Sequence, residues 1–369
     1  MLSVGLLALN AAGGSGVPRY TATLARSLAD VAPEYPGLEL RLVTTPAGAE
    51  RIGPVDLPVR RIGGSRGWER LHLRLLLEQA APALVRSDLV HFFDVGMPPF
   101  RRRTRYSVTF HDASIRYPEY GFSRAQLAYK NWLYPRSLAA ASAVVAVSQF
   151  AKDEAVRHFG VDPAKVTVVH SGPGFAPATP PAAALANGRG ERPYLLFAGS
   201  FTKNKNVPFL IRAFERADVP VDLVLAGAPL DDGPAVDEAI RSSPLRDRMR
   251  VVERPTDAEL DRLYRDALAF AFPSTYEGFG FPPLEAMGRG CPVLASDIPP
   301  LRELTAGGAM LLPLAEEPWA DAIRCVVSDA SLRDALRSRG LETAARYSWR
   351  DTARGLCELF VRTGSGAGS

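Results

Sequence analysis

Two carboxylates, Glu277 and Glu285, stand with seven residues between them in the stretch AFAFPSTYEGFGFPPLEAMGRGCPVLAS, from Ala269 to Ser296. The apolar run Ala269 to Phe272 reads as a short buried strand. The loop Pro273 to Gly280 carries one acid, Glu277, among aromatics and glycines. Pro282 and Pro283 suit the first positions of a helix, which puts Glu285 in its first turn. Pro292 to Ala295 reads as the next buried strand. The acids therefore flank a helix N-terminus at a strand's C-terminal end, where ligands bind in an open α/β sheet. Free backbone N–H groups there suit anions and sugar oxygens. A helix dipole alone favours an acid at its start. That accounts for Glu285 but not for Glu277 among glycines.

Three further places carry suitable residue types. GSFTKNKN, Gly199 to Asn206, offers Lys203 and Lys205 after a strand-like run. A lysine is a good point charge for phosphate, although on position alone a solvated lysine is the plainer reading. His111 and Asp112 follow the apolar run Tyr106 to Phe110. A lone histidine after a strand is more often a hydrogen-bonded structural residue than a catalytic one. Gly13, Gly14, Ser15 and Gly16 form a loop whose amides can approach phosphates without side-chain clash. An ordinary tight strand-to-helix turn explains the same glycines. The run Gly14-Ser15-Gly16-Val17-Pro18-Arg19 lacks the last glycine of the dinucleotide-binding fingerprint.

The elements that position these residues alternate. Val4 to Leu9 is strand-like, and Val17 to Leu28 has helical spacing through Tyr20, Leu24 and Leu28. Leu38 to Thr44, Val59 to Ile62, Leu89 to Phe93, Ser142 to Val147 and Val166 to Val169 read as strands. Trp68 to Leu77 and Gln149 to Phe159 read as helices. Ala176 to Arg192 is rich in Pro, Ala and Gly without periodicity and reads as a linker. A second series follows: strands at Tyr194 to Ala198, Val221 to Ala226 and Arg250 to Val252, helices at Val207 to Ala217 and Ala258 to Ala267. Helices around Trp319 to Val327, Ser331 to Arg346 and Trp349 to Arg362 close the chain. Alternating strands and helices indicate α/β architecture with parallel sheets.

Composition bounds the answer. At 369 residues the chain suits two domains of ordinary size. Hydrophobic content of 47% with 23% charge is that of a globular protein. A net charge of +4 suits anionic small ligands or an anionic membrane surface and does not require nucleic acid. Cys291, Cys325 and Cys357 form neither a metal pattern nor a disulfide framework, which favours a reducing cytoplasm. The opening MLSVGLLALNAAGG lacks a basic leader region and reads as a first strand. No apolar run reaches transmembrane length. No Asp-x-Asp is placed for a metal, and Asp231-Asp232 reads as a surface turn.

The phrase EGFGFPPLEAMGRGCPVLASD resembles the retaining GT-B glycosyltransferases of family 4, a family that includes sucrose synthases and bacterial mannosyltransferases. GVPRYTATLARSL (Gly16 to Leu28), VTFHD (Val108 to Asp112), VAVSQFAKDEAVRHFGVDPAKVTVVHSG (Val145 to Gly172) and GSFTKNKN are similar to family segments and occur in family order. The resemblance implies two Rossmann-like domains facing a central cleft. It implies an N-terminal, acceptor-binding domain over 1–176, a linker over 177–192 and a nucleotide-sugar domain over 193–347. A helix over 348–362 crosses back to the first domain, and 363–369 is a disordered tail.

Roles follow from the same resemblance. Lys205 is the main cation for the donor's diphosphate, with Ser200, Lys203 and the amides of Gly14 and Gly16 beside it. Ser200 stands where the family often has arginine, which weakens the expected clamp. Glu277, with the amides of Gly278, Phe279 and Gly280, binds donor-sugar hydroxyls, and Glu285 binds the ribose. His111 lies near the anomeric centre. Asp112 orients it, contacts an acceptor hydroxyl or caps the next segment. The family's usual glycine after the strand Arg250 to Val252 is missing, and Arg254 contacts base or phosphate there or faces solvent. No cofactor and no metal are expected. The implied partners are a nucleotide-sugar donor, GDP-mannose or a UDP-hexose, and a glycan, lipid-linked or small-molecule acceptor. The N-terminal arginines, Arg60, Arg61, Arg66, Arg70, Arg74, Arg101, Arg102, Arg103 and Arg105, fit either peripheral contact with the inner membrane face or a solvated surface. Two alternatives stay open: a nucleotide-sugar 2-epimerase of the same architecture, and a nucleotide-sugar-binding protein with a degenerate site.

Overall fold

The computed structural model describes residues 1–12, 16–62, 87–96, 105–120, 122–174 and 192–364. Gly13, Gly14, Ser15, the helix expected at Trp68 to Leu77, the arginines at 66, 70, 74 and 101–103, nearly all of the linker 177–192 and the tail from 365 lie outside them. The described chain divides into two units. One comprises residues within 1–116, 122–174 and 348–364; the other comprises 117–120 and 192–347.

The first unit is built on a sheet of seven parallel strands, in the order β3-β2-β1-β4-β5-β6-β7. They are β1 (Leu2–Ala8), β2 (Leu38–Thr44), β3 (Val59–Arg61), β4 (Leu89–Phe92), β5 (Arg105–Phe110), β6 (Ala143–Ala146) and β7 (Val166–Val168). The central strands β4 and β6 are buried along their whole length, as expected where helices cover both faces of a parallel sheet. The helices are α1 (Gly16–Val31), α2 (Pro46–Ile52), α3 (Arg124–Ala140) and α4 (Gln149–Phe159). Tyr20, Leu24 and Leu28 form the buried stripe of α1.

The second unit has six parallel strands in the order β10-β9-β8-β11-β12-β13. These are β8 (Tyr194–Ala198), β9 (Asp222–Gly227), β10 (Met249–Glu253), β11 (Ala269–Phe272), β12 (Val293–Ser296) and β13 (Met310–Leu312). Its helices are α5 (Val207–Ala217), α6 (Gly233–Ser242), α7 (Asp257–Asp266), α8 (Phe281–Gly288), α9 (Pro299–Thr305), α10 (Glu316–Ser328) and α11 (Ala330–Ala344). The last helix, α12 (Trp349–Gly364), belongs to the first unit and packs on α1, β1 and β6.

Each sheet reverses its strand order once, at β1/β4 and at β8/β11. In this doubly wound arrangement ligands sit beyond the C-terminal ends of the strands at the reversal. One glycine makes the second rim compact. A Cβ on Gly227 would lie 1.8 Å from the Gly199 carbonyl oxygen, so only glycine lets the ends of β8 and β9 come this close.

One sequence expectation is corrected. Helix α8 begins at Phe281, with Gly280 as its N-cap at φ +112°. Glu285 is therefore past the first turn, which holds no acid. The dipole account of Glu285 loses its basis, because the field is felt mainly in the first turn. Helices α2, α3, α6 and α9 and strand β13 were not legible as periodic segments. Helix α3 carries Pro135 in its interior, and α2 and α9 have seven residues each.

Candidate active site

At the β8/β11 reversal two loops are tied together. Asn204, in the 3-10 turn Lys203–Lys205, accepts from the Thr275 N–H at 2.8 Å through its carbonyl, and its side-chain amide donates to the Tyr276 carbonyl at 3.0 Å. These bonds fix Lys205 against Glu277. The Lys205 ammonium donates to Glu277 Oε1 at 2.5 Å and lies 4.9 Å above the Phe272 ring. Ser274, fully buried, donates to the same Oε1 at 2.6 Å. Glu277 keeps only 9% of its surface exposed. A carboxyl group with so little water needs such donors and an adjacent cation in its place.

The other residues expected here are placed as follows. Ser200 is half-buried, and its carbonyl accepts from the Thr202 N–H at 2.9 Å. Lys203 is exposed, so of the two lysines Lys205 is the one built into the loop. The Phe279 side chain is buried against Phe281 and Tyr347, which leaves only backbone of that residue to meet a ligand. Glu285 is 2% exposed, and its Oε2 accepts from the buried Tyr264 hydroxyl at 3.0 Å. Arg289 braces this corner by donating to the Glu285 carbonyl and to Asp261. Arg254 adopts φ +47° and donates its N–H to the Gly227 carbonyl at 2.9 Å. This is a left-handed conformation that glycine adopts most easily, and the Arg254 side chain is exposed.

The first unit carries the rest. His111 follows β5, and its Nε2 lies 2.8 Å from the Phe93 carbonyl. A carbonyl only accepts, so Nε2 is the nitrogen that donates in this bond. Tyr20 from α1 meets the His111 ring edge-on at 4.7 Å. Of the three roles open to Asp112, the structure shows capping, because Oδ1 accepts from the Ser114 N–H at 2.8 Å. Gly16 opens α1 with open space where a Cβ would sit. Beneath His111 lies a buried polar chain. His91 Nδ1 is 2.9 Å from Ser107 Oγ, and its Nε2 is 3.3 Å from Thr109 Oγ1. Burial, helped by nearby His111, pushes the His91 pKa down to about 3. At the β1/β4 reversal a shallow open recess is lined by Leu7, Leu9, Asn10, Phe92, Phe93, Asp94 and Gly96.

Ser274, Asn204, Tyr264 and the Phe93 carbonyl escaped the sequence reading. None lies at a spacing that marks it: Ser274, Asn204 and Phe93 reach their partners through folded loops, and Tyr264 reaches Glu285 from helix α7 to helix α8. Among the described residues, no group of three or more His, Cys, Asp or Glu side chains could hold a metal ion. Among them, too, no helix is long and apolar enough to cross a membrane.

The two sheets and their reversals are those of the GT-B glycosyltransferases. A sucrose-phosphate synthase from Thermosynechococcus elongatus superposes with TM-score 0.75 at 19% identity, over 99% of this chain and 100% of that one. The Anabaena HepE protein in complex with UDP-glucose superposes with TM-score 0.70 at 18% identity, over 98% of this chain and 100% of that one. In sequence, residues 14–172 match the model of Glycosyltransferase Family 4, and residues 186–343 match that of the Glycosyl transferases group 1. An O-antigen chain mannosyltransferase from Salmonella typhimurium is 28% identical over 254 residues, 69% of this chain and 67% of that protein. The chain belongs to the family 4 glycosyltransferases and is a glycosyltransferase.

Proposed function

We propose that the protein transfers a hexose from a nucleoside-diphosphate sugar to an acceptor hydroxyl, with retention at the anomeric carbon and without a metal ion. The observation that carries this reading is the Lys205–Glu277–Ser274 cluster at the β8/β11 reversal. An ammonium has three N–H donors, and Glu277 is the acceptor found for Lys205 among the described residues. The remaining donors suit a diphosphate, whose negative charge grows as the sugar leaves. A fixed cation at that point stabilises the transition state and supplies locally what a metal would otherwise supply. In the proposed reaction the bond from C1 to the phosphate oxygen breaks. A bond from C1 to the acceptor oxygen forms on the same face. The acceptor's proton passes to the departing diphosphate, so no carboxylate nucleophile is needed. His111 is assigned to the reacting sugar and Glu285 to the ribose. That second assignment requires Tyr264 to give way, since Glu285 is nearly enclosed and already accepts from the Tyr264 hydroxyl.

Mannose is the favoured sugar, because the Salmonella typhimurium relative is described as a mannosyltransferase. The acceptor is proposed to be a saccharide, a lipid-linked saccharide or a small secondary metabolite. A thermal-shift series with UDP, GDP, ADP and dTDP tests the donor. Stabilisation follows ligand concentration over Kd, so one nucleotide should stand out, GDP by this reading. Turnover with EDTA present and the anomeric configuration of the product test the rest. Donor conversion without any acceptor would instead mark an epimerase. No stabilisation by any of the four would overturn the donor class.

A further inference from the structure

The two oxygens of Glu277 are not equivalent. Oε1 takes both the Lys205 ammonium and the Ser274 hydroxyl. Oε2 has no protein partner among the described residues. We propose that Ser274 is a positioning residue that, with Lys205, holds Oε1 inward and so presents Oε2 to a donor-sugar hydroxyl. This inference rests on the function proposed above.

The single Ser274 proton is assigned by distance and acceptor strength. Its Oγ lies near three acceptors: Glu277 Oε1 at 2.6 Å, the Asn204 carbonyl at 2.8 Å and the Tyr276 carbonyl at 3.1 Å. Each of the three has another donor, Oε1 the Lys205 ammonium, so occupancy does not decide between them. The Thr275 N–H serves Asn204, and the Asn204 side-chain amide serves Tyr276. The carboxylate is the strongest acceptor and the nearest, so the proton goes there. Lys205 alone would be a poor anchor for the carboxylate. Its ammonium is shared, because the bound diphosphate competes with the carboxylate for its donors. A buried hydroxyl on a fixed loop does not move when the lysine turns toward phosphate. The serine therefore separates two tasks: diphosphate binding by Lys205 and sugar binding by Glu277.

That separation gives a readout which general loop damage would not give. Ser274→Ala, Ser274→Cys and Ser274→Thr are compared with the unaltered protein for binding of GDP and GDP-mannose, or of UDP and UDP-glucose if UDP is the nucleotide that stabilises it. Cysteine keeps the volume but is a weak donor; threonine keeps the hydroxyl. The expected result is an unchanged Kd for the nucleoside diphosphate in all three. Binding of the nucleotide sugar and kcat should fall about tenfold or more in the alanine and cysteine variants, the loss expected for a hydrogen bond to a charged group. The threonine variant should recover most of it. An equal loss for diphosphate and nucleotide sugar, or full activity in the cysteine variant, overturns the positioning role. Failure of the unaltered protein to bind any of the nucleotides overturns the function proposed above, and this inference with it.

Discussion

At the scale of single residues, the Lys205–Glu277 pair has consequences that differ from those of two independent groups. Each member is largely buried, with 16% and 10% of its side chain exposed. Removing one leaves the other uncompensated. Lys205→Ala should abolish donor binding, and Glu277→Gln should leave diphosphate binding intact while kcat falls by about 10²-fold. The double variant should be no worse than Lys205→Ala alone, because residues that act as a unit are not additive. Steady-state kinetics with separately measured donor affinity checks all three, and unchanged turnover in both single variants would refute the assignment. The sequence makes Glu277 and Lys205 visible because charged residues are unusual among glycines and aromatics after a buried strand. It does not make their pairing visible, because 72 residues separate them and only the β8/β11 adjacency brings their loops together. Ser274 is hidden for a different reason: it stands only three residues before Glu277, but a serine in a loop has no period to betray it.

At the scale of elements, the strands are the legible part. Parallel strands buried on both faces give unbroken apolar runs, and AFAF at Ala269–Phe272 or YLLFA at Tyr194–Ala198 could hardly be anything else. Helix α3 is the instructive omission. Its apolar residues do not gather on one face, and Pro135 interrupts it, so periodicity misses it. Its start was nevertheless marked, since Ser123 and Gln126 form a capping box. The tightest constraint on any element falls on Gly227. A methyl group there would meet the Gly199 carbonyl, which is backbone and cannot turn aside. The Gly199–Lys205 loop hangs from that contact. Gly227→Ala should therefore destabilise the second unit by about 3 kcal/mol or more and weaken nucleotide binding as well. Thermal unfolding with and without nucleotide measures both effects. A stable variant with normal affinity would show that the two strand ends are free to part.

At the scale of the whole molecule, the first unit draws on both ends of the chain. Helix α12 supplies Trp349, Leu356, Leu359 and Phe360 to its core, and Arg350 and Arg354 pair with Glu34. Phe360 is fully buried and lies 5.2 Å from the His91 ring. Phe360→Ala should cost the unit about 3–5 kcal/mol, the usual range for a buried phenylalanine. The burial of His91 makes the unit sensitive to acid. His91 is neutral in the folded state, with its pKa near 3 because burial disfavours the charged ring. In an unfolded chain it titrates near the ordinary value of about 6.5. Below that pH the unfolded state binds a proton that the folded state refuses, so its share of stability is complete above about 6.5 and is lost as pH falls toward 3. Hydrogen exchange of β1, β4 and β5 between pH 7 and 4 reads this unit separately from the other, after correction for the intrinsic pH dependence of exchange. Protection should fall with pH in the unaltered protein and fall less steeply in His91→Asn, which cannot take up the proton. Parallel slopes in the two proteins would mean that His91 does not govern the acid limit of the unit, and that the carboxylates elsewhere on it do.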